Sequence, residues 1–271
     1  MILEIFDVEH GQCSLLATDT RASILIDCGH NATTGWRPST YLASYGIDYL
    51  DKLIITNADE DHASDLHNLV QTARIDSLVR NPTLKGADVM YLKGQKPGLG
   101  ISEFAKMTDR YVGAVLNRDF GPVEFLHFWN QYPQDFEDEN NLSLVTIIRH
   151  QDFSVCFPGD MERAGWLKIL HQPSFRQAIA NVDVFVASHH GRDSGCCDEL
   201  FTLTGWTPSL TVISDAGKQH ASQETCDWYW RRTRGANVGG RNRRVLTTRT
   251  DGRIVISSAG PGQYTVGTSK A

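Results

Sequence analysis

Four apolar runs in this chain each end on a carboxylate or an imidazole, and that recurrence restricts the fold more than any other feature. Ala22 to Gly29 reads Ala-Ser-Ile-Leu-Ile-Asp-Cys-Gly and closes on Asp27. Ile54 to Leu66 packs Asp59, Asp61 and His62 into four residues. Phe153 to Glu162, Phe-Ser-Val-Cys-Phe-Pro-Gly-Asp-Met-Glu, delivers Asp160, and Val182 to Gly191, Val-Asp-Val-Phe-Val-Ala-Ser-His-His-Gly, delivers His189 and His190. Short apolar runs bounded by Gly, Pro or Asp read as buried strands, so each polar group falls where a strand opens into a turn. Acidic residues this crowded repel one another unless solvent or a cation neutralises them, and divalent cations need several oxygen or imidazole donors converging on one point. A single acidic loop is more simply a solvated surface turn. Four polar clusters at four strand ends imply a shared site.

Strand patterns are expected at Ile2 to Val8, Ser14 to Ala17, Ser23 to Asp27, Lys52 to Thr56, Ser77 to Val79, Leu142 to Arg149, Phe153 to Phe157, Val182 to Ala187, Leu210 to Ser214, Val245 to Thr248 and Ile254 to Ser257. Helices are expected near Pro38 to Tyr45, Ala63 to Thr72, Ile101 to Asp109, Ala164 to Leu170, Ser174 to Ala180 and Gln223 to Arg232. Pro82 to Leu99, rich in Gly and Lys, reads as a surface excursion. With no repeat, low-complexity tract or long linker, the 271 residues are taken as one domain.

A hydrophobic fraction of 41% supports a substantial core, yet no apolar stretch approaches the roughly 18 residues of a membrane span. The start, Met1 to Phe6, reads as a strand and lacks the features of a secretion signal, so a cytoplasmic protein is expected. Cys13, Cys28, Cys156, Cys196, Cys197 and Cys226 show no metal-knuckle spacing and read as free thiols, mostly buried. A net charge of -6 argues against a broadly basic nucleic-acid-binding surface. Locally the balance differs: Arg231, Arg232, Arg234, Arg241, Arg243 and Arg244 lie close to Trp228, Tyr229 and Trp230. Arginine interleaved with aromatics suits a phosphate backbone with stacked bases, or equally a solvated helix end whose arginines pair with local acids.

The order of the motifs resembles the metallo-β-lactamase superfamily, and within it the hydrolase domain of the competence protein ComEC and its stand-alone relatives. The resemblance rests on Phe6-Asp7-Val8-Glu9-His10-Gly11-Gln12-Cys13-Ser14, Leu25-Ile26-Asp27-Cys28-Gly29, Gly46-Ile47-Asp48, Thr56-Asn57-Ala58-Asp59-Glu60-Asp61-His62, Asn140-Asn141-Leu142-Ser143-Leu144-Val145, Gly159-Asp160, His189-His190-Gly191 and Thr248-Arg249-Thr250-Asp251-Gly252. It implies an α/β fold, an αββα sandwich of two mixed sheets flanked by helices. It also implies one or two divalent ions, manganese or zinc with magnesium as an alternative. The implied ligands come from Asn57, Asp59, Asp61, His62, Asp160, His189 and His190, with Asp61 and Asp160 central to catalysis. On a strand His189 and His190 would face opposite ways, so only one is expected to ligate. Asp27, Asn141 and Ser143 are implied supports, and His220 an implied proton donor. The first loop position is Asn57 where the family carries His, and an amide oxygen is a weaker zinc donor than imidazole. The expected activity is hydrolysis of a phosphodiester, DNA first, with Arg231, Arg232 and Arg234 as the nucleic-acid contacts. A small ester, lactone or cyclic nucleotide, or a binding protein that has lost turnover, is the alternative.

Overall fold

Alternation along the strands sorts their side chains into separate cores. In Ser23–Cys28, Ile24 and Ile26 join one apolar cluster while Leu25 joins another. The computed structural model describes residues 1–94, 96–113, 118–217, 225–260 and 263–270. Among these, one sheet has nine strands in the spatial order Arg241–Arg243, Ala236–Val238, Gln263–Thr268, Ile254–Gly260, Ile2–Ile5, Cys13–Ala17, Ser23–Cys28, Lys52–Ile54 and Leu78–Val79. A second runs Val245–Thr247, Leu210–Ile213, Val184–Val186, Phe153–Phe157, Val145–His150 and Val123–Phe128. Both mix parallel and antiparallel neighbours.

The sheets face each other across a core that includes Leu3, Ile5, Ile26 and Ile54 from the first and Phe157, Val184, Val186 and Val212 from the second. Helices Pro38–Ser44, Leu66–Thr72, Gly86–Lys93 and Leu99–Arg110 cover the outer face of the first sheet through Leu42, Leu69, Val89 and Phe104. Helices Arg163–Ile169, Pro173–Ile179, Asp198–Thr202 and Cys226–Arg231 cover the second through Trp166, Phe175, Leu200 and Tyr229. This is the expected αββα sandwich. No helix among the described residues is long and apolar enough to cross a membrane, and none of the six cysteines forms a disulfide.

Connectivity places the polar strand ends together. Ser23–Cys28 runs parallel to Lys52–Ile54, and Phe153–Phe157 parallel to Val184–Val186, so within each sheet both carboxyl ends emerge on one edge. The two edges are tied by Leu144, whose amide donates to the carbonyl of Thr56 at 2.7 Å, and within the second sheet the His189 amide donates to the Gly159 carbonyl at 3.1 Å.

Several elements depart from expectation. Within Pro82 to Leu99 the chain forms the helix Gly86–Lys93, started by the Lys85 amide donating to Asp88 and held by buried Val89. The glycines and lysines flanking it hid it, because tertiary packing outweighs weak propensity. Val123–Phe128, with only its first residue fully buried, pairs antiparallel with Val145–His150 but lacks the apolar signature of a core strand. The last of the expected helices is described from Cys226; the start expected at Gln223 lies outside the described residues.

One strand carries a pH sensitivity. His127 is lowered to about 4 from an ordinary 6.5 by burial and by nearby Lys52, and its Nδ1 lies 3.0 Å from Thr146 Oγ1. In the unfolded chain it takes up a proton near 6.5, so between that pH and 4 the unfolded state binds the extra proton and stability falls as pH falls. The loss amounts to roughly 3 kcal/mol. Urea midpoints measured across this window should be flatter in His127→Gln; identical profiles would remove His127 as the cause.

Candidate metal centre

The site begins with a fault in strand register. Cys13 pairs with Cys28, but Ser14 pairs with Ile26, which leaves Asp27 as the extra residue of a bulge with φ of 56°. Bulges re-aim a side chain, and this one turns a fully buried carboxylate toward the candidate metal loop, Thr56 to His62. Asp27 Oδ1 accepts from the Thr56 amide at 2.7 Å, and Oδ2 accepts from Thr56 Oγ1 at 2.5 Å. Oδ2 is also 3.0 Å from His62 Nδ1. With Nδ1–H donating to Asp27, the lone pair of His62 Nε2 is left for the centre, the arrangement that orients a ligating imidazole.

Lys52–Ile54 delivers the loop, and Gly29 lets it pack closely: a Cβ there would collide with the Asp61 carbonyl oxygen. Asp59 caps the one-turn helix Glu60–Ala63, which carries Asp61 and His62. Asp160 follows Phe153–Phe157, its amide donating to Ser143 Oγ at 3.0 Å. His189 and His190 do not continue the strand Val184–Val186. Both take left-handed backbone, with φ of 51° and 53°, so strand alternation does not set their directions. Such consecutive positive φ values are costly for residues with a Cβ and tend to mark functional turns.

Asp61, His62, Asp160 and His190 each offer one ligand atom, and these atoms all lie within 4.8 Å of one another. His62 Nε2 is 3.0 Å from Asp160 Oδ1, and His190 Nε2 is 3.3 Å from both Asp61 Oδ2 and Asp160 Oδ1. His189 stands beside this group: its Nε2 is 3.9 Å from Asp160 Oδ2, while Nδ1 faces Ser194 Oγ at 2.9 Å and Glu162 at 3.3 Å. Asp59 is also drawn aside, its Oδ1 lying 2.9 Å from Lys93 Nζ. Asn57 is buried, and its Nδ2 donates to Ser143 Oγ at 3.0 Å and Asn140 Oδ1 at 3.3 Å. Ser143 thus links Asn57 to Asp160. Asn141 instead organises a turn, accepting from the Gly165 amide and donating to Asp138. His220 lies outside the described residues. The pairing of Thr56 with Asp27 and of Lys93 with Asp59 and Glu139 carries no local sequence signal, because the partners are distant along the chain.

Burial opposes charge on all four grouped residues, and pairing overcomes it. Against burial, Asp160 and Asp61 hold His190 up at about 10, and Asp160 with Asp27 holds His62 well above an ordinary histidine. The same imidazoles pull Asp160 well below, and Asp61 below, the usual carboxylate range despite burial. By itself the group balances its charge by protonating both imidazoles. A divalent cation would replace those protons. The fit is supported by His190 Nε2 and Asp61 Oδ1, buried atoms that complete no hydrogen bond among the described residues. Two oxygen and two nitrogen donors suit zinc or manganese.

Residues 7–85, which include Asp27, Asp61 and His62, match the model of the Metallo-beta-lactamase superfamily. Those residues carry the metallo-β-lactamase superfamily signature. Its sequence is 24% identical over 237 residues to ComE operon protein 3 of Bacillus subtilis (strain 168), which fits a ComEC-like assignment. The match covers 80% of this chain but 28% of that protein, so the chain spans little over a quarter of its relative's length. The solved structure of CmlA, a diiron beta-hydroxylase from Streptomyces venezuelae, is 16% identical, with a TM-score of 0.50 over 85% of this chain and 50% of its own. The metallo-beta-lactamase fold protein YhfI from Bacillus subtilis is 14% identical, with a TM-score of 0.45 over 82% of this chain and 90% of its own. In this metallo-β-lactamase fold the grouped Asp61, His62, Asp160 and His190 form the candidate metal centre.

Proposed function

We propose that the chain is a metal-dependent hydrolase of phosphodiesters, DNA first among them, with a divalent ion held by Asp61, His62, Asp160 and His190. The convergence of those four side chains at the strand ends is the observation that carries the reading. A divalent cation bound there would lower the pKa of a water and neutralise charge building on phosphoryl oxygens. The chain supplies the rest: Asp27 fixes the tautomer and direction of His62, and Ser143 Oγ holds the Asp160 backbone in place.

The arginine and tryptophan face supports a nucleic-acid substrate. Arg232 stacks on Trp228 at 3.9 Å, and Arg244 on Trp230 at 4.1 Å, with Trp230 51% exposed. Arg231 lines a cleft of about 760 Å³ with Phe201, Trp206 and Trp228. Arg232 is also paired with Asp198, and Arg234 donates to Ser209, so part of this charge is already engaged. Exposed aromatic faces backed by guanidinium suit stacked bases beside a phosphate backbone. If Arg231 and Arg232 each neutralise a phosphate, replacing both with alanine should lower the slope of log affinity against log salt by about 1.4–1.8. An unchanged slope would return them to the solvated surface.

The reaction class is tested by offering the purified chain, with manganese, zinc or magnesium, a chromogenic phosphodiester beside an aryl ester and a lactone. Preference for the phosphodiester supports the proposal. Faster turnover of the ester or lactone would replace it with small-molecule hydrolysis.

A further inference from the structure

We infer that the Lys93 ammonium stands in for a cation at the first position of the metal loop, so that the chain binds one divalent ion and supplies the neighbouring positive charge from its own side chain. This rests on the reading that Asp61, His62, Asp160 and His190 hold an ion.

The first half of the loop is committed to protein partners. Lys93 Nζ lies 2.9 Å from Asp59 Oδ1 and 2.7 Å from Glu139 Oε1, on a side chain only 13% exposed. The Glu60 carboxylate accepts from the amides of Gly100 and Ile101 at 3.0 and 3.1 Å, which pins the start of the helix Leu99–Arg110 to the loop. That helix packs against Gly86–Lys93, whose last residue is Lys93. The same pair of helices is therefore anchored to the loop at two adjacent residues. This fixes where the ammonium sits.

The surroundings of Lys93 are those of a cation position. Asp59 and Glu139 bring two negative charges to one ammonium, leaving a deficit that a divalent ion would fill. Asn140, next to Glu139, accepts from Asn57, and Asn57 Oδ1 is a buried oxygen without a hydrogen-bond partner among the described residues. Asn57 stands two residues before Asp59 and donates to the neighbour of Glu139, so the side chains gathered at this end of the loop, Asn57, Asp59 and Glu139, all bear oxygen and none is an imidazole. Oxygen-only sites bind hard ions weakly unless several carboxylates contribute. A tethered ammonium on the same carboxylates would outcompete such an ion, because its position is fixed by folding and it does not dissociate.

The test is calorimetric titration of manganese chloride into the chelator-treated full chain, comparing wild type, Lys93→Gln and Lys93→Arg, with thermal melts confirming that each is folded. Wild type and Lys93→Arg should take up one ion per chain. Lys93→Gln should take up one more, and Asp59→Asn in the Lys93→Gln background should abolish that gain. An unchanged count in Lys93→Gln, a second ion in wild type, or the same gain in Lys93→Arg would overturn the assignment of Lys93. Absence of an ion from wild type with one gained in Lys93→Gln would instead sink the four-residue centre and leave Lys93 as the cation of the first position.

Discussion

Asp160→Ala is expected to eliminate ion binding at the four-residue centre and to lower phosphodiester turnover by at least about 10²–10³-fold, the scale seen when one charge-stabilising group is lost. Asp160 lies within 3.3 Å of both imidazoles of the group, so it is the carboxylate that joins His62 to His190. Its removal takes away a ligand and lets the imidazoles lose their protons. That spares the fold the cost of stranded charge, and the thermal midpoint should change little. Calorimetric titration with manganese and a rate on the chromogenic phosphodiester provide the readout. Retained ion binding or turnover would remove Asp160 from the centre.

The second large effect is expected at Asp27. It is fully buried, receives both donors of Thr56 and faces His62 Nδ1. Asp27→Ala strands all three, and breaking a buried hydrogen-bonded charge pair costs on the order of 3–5 kcal/mol. Ion affinity should fall by about 10–100-fold as His62 loses its orienting partner. Asp27→Asn separates the two consequences. Asparagine tolerates the left-handed backbone and keeps one acceptor for Thr56, but its amide can donate toward His62 Nδ1. The imidazole would then carry its proton on Nε2, facing the centre. Asp27→Asn should therefore lose ion affinity with a smaller fall in thermal midpoint than Asp27→Ala. If Asp27→Asn binds manganese as tightly as wild type, Asp27 does not set the tautomer of His62.

The strand ends were legible in the sequence because their signals are local. An apolar run meeting Gly-Asp or His-His-Gly carries both the strand and the turn within about ten residues. That is enough to predict two sheets and to bring Asp27, Asp61, His62, Asp160 and His190 toward one edge. What escaped depends on non-local pairing. The bulge that turns Asp27 is a one-residue shift against Cys13–Ala17, and no composition betrays it. The left-handed pair His189 and His190 looked like the continuation of a strand, so a rule for alternating side chains was applied where the backbone no longer alternates. The capture of Asp59 by Lys93 needed the helix Gly86–Lys93, whose glycine, lysine and polar residues read as a surface loop. Glu139 carries no local sign of its role, because its partner Lys93 lies 46 residues away.

Cleavage of end-labelled single- and double-stranded DNA by the purified chain, with manganese, magnesium or zinc added after chelation, tests the central claim most directly. Cleavage by wild type that requires an added ion and disappears in Asp160→Ala is the predicted result. No cleavage of either strand form with any of the three ions, or cleavage that persists in Asp160→Ala, would contradict it.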